Sequence, residues 1–450
     1  MEKELKIEKM EFKDKAWLRM ENPRNLMTVT GVMMFDEMPD RDHLVATLKV
    51  RLLSLDRFRQ KVIKRDKTIY WEEVPESEID FDYHLTPLTL ADPGDDTELE
   101  KLVGELASSP LDYHRPLWQM FLVSNYHGTG AALVVRINHA IADGISLIQV
   151  LISLMDNEPN QPVPTPEDGF VAKSPLSLFP SGSSEPPEKK SLKDLLLSPF
   201  MLLFRILYTI YKAFFLLPDT TTILKGELTG KKGFAWSKPI PLNDIKDIGR
   251  SLGGKLNDVI LTIVTEALRQ YLKNQNAYVE KANIRVVIPV NVRPLTENIS
   301  LGNRFGSMFL ALPLSIEDQV ACLNEVQRRT QRIKNSFEAL VLYWMTAFSG
   351  TLTKKFQMFF LDMFTQKSSL NLSNVPGPKQ TLYVANVPMQ RIIFCVPQPG
   401  RLAMGVSILS YNNNIMFGVT GDLNVLKDPH AIVRTFEEEV EKLKALANIR

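Results

Sequence analysis

The fold turns on Arg136-Ile137-Asn138-His139-Ala140-Ile141-Ala142-Asp143-Gly144, where an apolar run hands over to an imidazole and a carboxylate. Upstream, residues 131–137 (AALVVRI) have the β-branched, apolar composition of a buried strand. Downstream, Gly144-Ile145-Ser146 opens a segment with Leu147, Val150, Leu151 and Leu154 at helical spacing. His139 and Asp143 therefore fall where a sheet gives way to a helix. At such junctions rigid elements hold side chains on an accessible backbone.

The same alternation continues in both directions. Residues 27–35, 69–71 and 120–123 read as strands, while residues 98–106 and a segment starting at Asp40 read as helices. Later, residues 257–272 form a capped amphipathic helix, and 284–290 and 305–312 are strands. Residues 316–334 form a helix with Val320, Leu323 and Val326 inward, and 340–348 an aromatic helix. Residues 404–411 and 415–419 make a hairpin around Asn412-Asn413-Asn414, and a last charged helix starts at Asp428. This is a mixed α/β pattern in two halves of similar make-up. At 450 residues the chain is also too long for one ordinary core. We divide it into an N-terminal domain (1–157), a Pro/Ser-rich linker (158–190), an apolar segment (191–218) and a C-terminal domain (219–450).

In the apolar segment Ser198 and Pro199 precede FMLLFRILYTIYKAFFLL (200–217), broken only by the stripe Arg205, Thr209 and Lys212. Three readings are open: a core helix with its stripe in solvent, a membrane-surface helix with its basic stripe at lipid head groups, or a spanning helix. The wide apolar arc favours the second. Arg205 inside a bilayer disfavours the third.

Charge is balanced, 53 basic against 52 acidic residues, so no global field holds nucleic acid and any anion site is local. Two cysteines, Cys322 and Cys395, exclude a disulfide framework and suggest a reducing, cytoplasmic setting. The charged N-terminus lacks the apolar core of a secretory leader. No nucleophile elbow, phosphate-binding glycine loop or zinc pattern is present, and we expect no metal site. His43, His84, His114, His127 and His430 lie in charged or turn-like contexts and read as solvated. His139 differs: it ends an apolar strand four residues before an acid, as a general base would. On spacing alone, a buried histidine satisfying the turn is the stronger reading.

Asn138 to Gly144 resembles the HHxxxDG signature of the CoA-dependent acyltransferase superfamily, with Asn138 in place of the first histidine. Further stretches resemble the wax ester synthase/diacylglycerol acyltransferase family, in that family's order. They are residues 110–118 (PLDYHRPLW), Asn257-Asp258, residues 289–294 (PVNVRP) with Leu301-Gly302-Asn303, and residues 373–378 (SNVPGP) with Ser410-Tyr411.

The resemblance implies two chloramphenicol-acetyltransferase-like domains, each a mixed sheet flanked by helices, with a tunnel at their interface. It implies O-acyl transfer from long-chain acyl-CoA, a co-substrate rather than a cofactor, to a fatty alcohol or diacylglycerol. His139 would be the base. Asp143 would brace the turn by pairing with an arginine, Arg24 or Arg293, and Gly144 would allow close approach. Asn257 and Asp258 would cap and pack, while Ser373, Asn374, Pro376 and Gly377 would lie along the tunnel. A peripheral membrane or lipid-droplet location follows, without nucleic acid. The departure at Asn138 leaves a second reading, a catalytically weak lipid-binding homologue of the same fold.

Overall fold

A computed structural model describes residues 5–163, 165, 198–291, 301–334 and 338–449. Most of the expected linker, and Arg293, lie outside the described residues.

The first half runs β1 (Ile7–Lys9), α1 (Phe12–Met20), β2 (Thr28–Phe35), α2 (Arg41–Thr47), β3 (Gln60–Arg65), β4 (Thr68–Glu73), α3 (Phe81–His84), β5 (Leu85–Thr89), α4 (Asp96–Ser108), β6 (Trp118–Tyr126), β7 (Gly130–Asn138) and α5 (Gly144–Ser153). The second half runs α6 (Ser198–Phe215), β8 (Lys232–Trp236), β9 (Ile240–Pro241), α7 (Leu242–Leu252), α8 (Leu256–Asn274), β10 (Arg285–Asn291), β11 (Phe305–Ala311), α9 (Gln319–Lys334), α10 (Glu338–Ser349) and α11 (Lys354–Thr365). It ends with β12 (Leu370–Pro376), β13 (Tyr383–Val384), β14 (Val387–Cys395), β15 (Met404–Tyr411), β16 (Asn414–Asp422) and α12 (Pro429–Leu446).

Every residue of β7 is buried, which is why its sequence is mostly apolar rather than alternating, with Arg136 and the terminal Asn138 as its buried polar exceptions. It lies inside a sheet of order β13-β14-β2-β7-β6-β5, antiparallel to β2 with Thr28 opposite Asn138. The second sheet has the order β11-β10-β12-β15-β16-β8, with β10, β12 and β15 parallel. A small sheet, β1-β4-β3, stands beside them. Both large sheets are mixed and flanked by helices, as the sequence pattern predicts. The expected hairpin is β15–β16, turned by Asn412 (φ 45°) and Asn413 (φ 59°) in the left-handed region that asparagine tolerates.

The halves are not independent. β14 belongs to the second half by sequence, yet it pairs with β2, Ile393 opposite Val32 with both side chains buried. It thereby joins the two cores beside the end of β7.

Two expectations are corrected. His43 and His84 are buried rather than solvated: each follows a capping aspartate into a short helix whose inner face meets the core. His84 stacks on Trp118 with ring centroids 4.1 Å apart, and burial lowers its pKa to about 4. For the apolar helix α6 the core reading, with the polar stripe in solvent, is the one not met. Thr209, in the middle of its polar stripe, is buried, whereas Phe204, Leu207, Tyr208, Tyr211 and Phe215 are exposed. The greasy side thus faces outward. Among the described residues no helix is long and apolar enough to cross a membrane.

Candidate active site

The turn after β7 is fixed by the backbone first. The His139 N–H donates to the Met27 carbonyl at 2.7 Å, and the Asn138 N–H to Leu117 at 2.9 Å. The Asn138 side chain is fully buried and uses both ends of its amide. It donates to Glu21 Oε2 at 2.9 Å and accepts from the Ala140 N–H at 2.9 Å. Asp143 is the N-cap of α5, where Oδ1 accepts from the Ser146 N–H at 3.0 Å and from its hydroxyl at 2.9 Å.

Residues from the second half close over this turn. The Gly302 N–H donates to the Ile141 carbonyl at 3.0 Å, from a backbone at φ 87° that suits glycine. The Arg304 N–H donates to Asp143 Oδ2 at 2.9 Å. Between them, Asn303 Nδ2 donates to the His139 carbonyl at 2.8 Å and to Asp14 Oδ1 at 3.1 Å, while Asn303 Oδ1 lies 2.8 Å from His139 Nδ1.

That arrangement determines a tautomer. A backbone carbonyl only accepts, so the amide nitrogen of Asn303 faces it and Oδ1 faces the ring. His139 Nδ1 must therefore carry the hydrogen, leaving the lone pair on Nε2. Among the described residues nothing bonds Nε2. Trp17 stacks on the imidazole at 4.1 Å between centroids and 19° between planes, and Phe305 leans on it at 5.6 Å.

Burial holds the His139 pKa below the ordinary histidine value, while the Asp143 charge and the Asn303 bond oppose the shift. The ring is therefore neutral at neutral pH. Asp14 is also buried, and its carboxyl is pushed up to about 6 against the pull of Asn303 and of Arg57, 3.8 Å away.

His139 opens on a cavity of about 270 Å³ between the two sheets, with walls that are mostly apolar: Val29, Ile137 and Leu151 from one half, Val287, Ile393 and Leu409 from the other. Asp143, Gly144, Ser373 and Asn374 also line it. A Cβ at Gly144 would meet open space. Asn257 accepts from Asn374 Nδ2 at 2.8 Å and so supports that wall. Asp258 accepts from the Lys255 N–H at 3.1 Å and from the Thr330 hydroxyl at 2.8 Å, a capping and packing role. Pro376 ends β12, and Gly377 passes so near the Ser410 carbonyl that a Cβ would lie 2.2 Å from it, a structural turn. Arg24 is exposed in the turn at residues 22–25, against Gly230 of the second half, whereas Asp143 is buried. The Ser146 side chain and N–H and the Arg304 N–H are among the groups that brace Asp143.

The roles of Asp14, Trp17, Glu21 and Asn303 escape sequence reading. Only the LGN stretch marked Asn303, without a function. Among the described residues no cluster of three His, Cys, Asp or Glu side chains could hold a metal ion. A neutral imidazole, locked in one tautomer and opening on a mostly apolar cavity, can take a proton from a hydroxyl.

Comparison with known proteins identifies the family. Residues 10–260 match the wax ester synthase/diacylglycerol acyltransferase catalytic domain, and residues 301–444 the WS/DGAT C-terminal domain. A Mycobacterium tuberculosis protein named as a diacylglycerol O-acyltransferase is 27% identical over 388 residues, 80% of this chain and 78% of that one. The O-acyltransferase WSD of Acinetobacter baylyi is 23% identical over 445 residues, 95% of each chain. The solved wax ester synthase/diacylglycerol acyltransferase from Marinobacter aquaeolei VT8 shares the fold with a TM-score of 0.69 at 22% identity, covering 98% of this chain and 100% of that one. The chain belongs to the wax ester synthase/diacylglycerol acyltransferase family and is an O-acyltransferase.

Proposed function

We propose that the protein transfers a long-chain acyl group from acyl-CoA to the hydroxyl of a fatty alcohol or a diacylglycerol, with His139 as general base. The observation that carries this reading is the Asn303-locked tautomer, which leaves the Nε2 lone pair in an apolar cavity. Nε2 takes the hydroxyl proton as the oxygen attacks the thioester carbonyl. The tetrahedral intermediate collapses, the C–S bond breaks, and the leaving thiolate recovers the proton from Nε2. Asp143 stabilises the transient imidazolium through its charge. A base of this kind contributes roughly 10²–10⁴-fold, and excluding water from the cavity protects the thioester from hydrolysis.

Asn138 supports the active reading, because its amide is spent on Glu21 and Ala140 behind the turn. The location is the surface of a membrane or lipid droplet. Three neighbouring helices expose large apolar side chains: Phe204 and Phe215 on α6, Trp344 and Phe348 on α10, Phe356 and Phe359 on α11. Such a face, rich in aromatic residues and bordered by Lys354 and Lys355, suits an interface where both substrates dissolve.

A product assay tests the reading: long-chain acyl-CoA offered with mixed alcohols and diacylglycerols should yield free CoA and the matching esters. Acyl-chain binding without CoA release, across the whole panel, would make the protein a lipid binder instead.

A further inference from the structure

Helix α1 meets His139 twice. Asp14 and Trp17 are three residues apart and so share one face of the helix. Trp17 stacks on the imidazole, while Asp14 is linked to the ring edge through Asn303. The helix is itself anchored. Gln357 Nε2 on α11 donates to the Ala16 carbonyl at 2.9 Å, and Arg19 Nη1 to the Leu352 carbonyl at 2.7 Å.

Asp14 is the third residue of α1, a position from which an acid commonly turns back to cap its own helix. Here it reaches across to the second half instead. Oδ1 accepts from the Asn303 side chain at 3.1 Å and from the Asn303 backbone N–H at 3.2 Å, and Oδ2 faces Arg57 Nη2 at 3.8 Å. Arg57 in turn lies over the Trp71 ring, 4.6 Å from its centroid. With 1% of its surface exposed, Asp14 carries a desolvation cost that Asn303 and Arg57 offset only in part, since its carboxyl stays raised to about 6. The two hydrogen bonds of this costly carboxylate end on the residue that orients the His139 ring.

The Asn303 amide has two hydrogens on Nδ2, one given to the His139 carbonyl and the other to Asp14. A flipped amide would set its oxygen against two acceptors at once, one of them charged. We propose that Asp14 is a positioning residue for the acyl transfer: through the Asn303 amide it fixes the His139 tautomer and stabilises the ring as Nε2 takes the hydroxyl proton. The inference rests on His139 being the base. No proton leaves Nδ1. When Nε2 gains its proton the ring becomes an imidazolium, and the Nδ1–H bond to Asn303 Oδ1 strengthens. The Asp14 charge adds to this, because its pull on the Nδ2 hydrogen polarises the amide toward the ring.

Asp14→Asn tests the charge, since it keeps the volume and an acceptor for Asn303. It should lower kcat about tenfold with KM unchanged. In an Asn303→Ala background the same substitution should lower kcat no further, because the group through which it acts is gone. A parental kcat in Asp14→Asn, or an equal further loss in the Asn303→Ala background, overturns the proposal. So does loss of the melting transition in Asp14→Asn, which would make the carboxylate a structural strut. Nitrogen-15 shifts of the labelled imidazole, with His139→Ala to assign the signal, give a readout that needs no turnover: the Nδ1–H form in the parent and a mixture of tautomers in Asp14→Ala. CoA release by the parent with the tautomer unmoved in Asp14→Ala defeats this inference alone. A tautomer lost in Asp14→Ala, in a parent that releases no CoA, supports the positioning and defeats the base reading of His139 alone.

Discussion

Asn303 and His139 come from opposite halves of the chain, yet Asn303 Oδ1 lies 2.8 Å from His139 Nδ1 while Asn303 Nδ2 grips the His139 carbonyl at 2.8 Å. The contact of the halves therefore sets which ring nitrogen can act as a base. Asn303→Ala removes the acceptor, and we expect kcat to fall about 10²-fold with little change in KM. Asn303→Asp restores an acceptor and adds a negative charge that raises the His139 pKa, so it should recover part of kcat while moving the acidic limb of its pH profile upward. Parent-like kinetics for Asn303→Ala would remove Asn303 from the mechanism.

Asn138 makes two buried hydrogen bonds, and Asn138→Ala should cost about 1–3 kcal/mol in denaturant unfolding, with a loss of kcat as the turn loosens. Asn138→His keeps one donor and one acceptor, so it should stay close to parental activity. A large gain from that substitution would show that the parent lacks a catalytic group at this position.

Gly144 lines the cavity where a Cβ would meet open space. Gly144→Leu should leave the melting temperature near the parental value and shift donor preference toward shorter acyl chains, read from kcat/KM across a chain-length series. Unchanged preference would place the acyl chain elsewhere.

Stability should depend on pH through Glu100. Burial pushes its carboxyl up to about 8, against the Trp236 N–H that it accepts at 2.8 Å and with Asp96 and Asp95 adding to the rise. An unfolded glutamate titrates at about 4.3. The folded state thus binds the proton more tightly, and this contribution is full below about pH 4 and lost as pH rises toward about 8. Glu100→Gln keeps an acceptor for Trp236 and a donor for His430, whose Nε2 lies 3.2 Å from the carboxylate. Its urea midpoint should fall less across that window than the parental one, and parallel curves would contradict the assignment.

The outward aromatic face makes a separate prediction. Trp344→Asp/Phe348→Asp on α10 should weaken flotation with lipid vesicles while the melting temperature holds, since both side chains are 64% exposed. Undiminished flotation would return the face to solvent.

The strand, turn and capped helix around His139 were legible because each is local. A fully buried strand is mostly apolar, and Asp143 caps a backbone N–H three residues on. The partners that tune His139 were not legible. Asn303 is 164 residues away and Asp14 reaches it across 289, distances over which periodicity reports nothing. The crossing of β14 into the first sheet was hidden for the same reason. The orientation of α6 was ambiguous on different grounds: spacing defines its polar stripe but not which side meets the protein, and burial of Thr209 shows it. His84 looked solvated because its charged neighbours cap a helix, while its own ring meets Trp118.

The most direct test is CoA release from a long-chain acyl-CoA at neutral pH, with a long-chain alcohol or a diacylglycerol as acceptor, by the parent and by His139→Ala. The parent should release CoA with ester formed in equal amount, and His139→Ala should lose at least about 10² of that rate while remaining folded. Ester formation by His139→Ala at the parental rate would contradict the account.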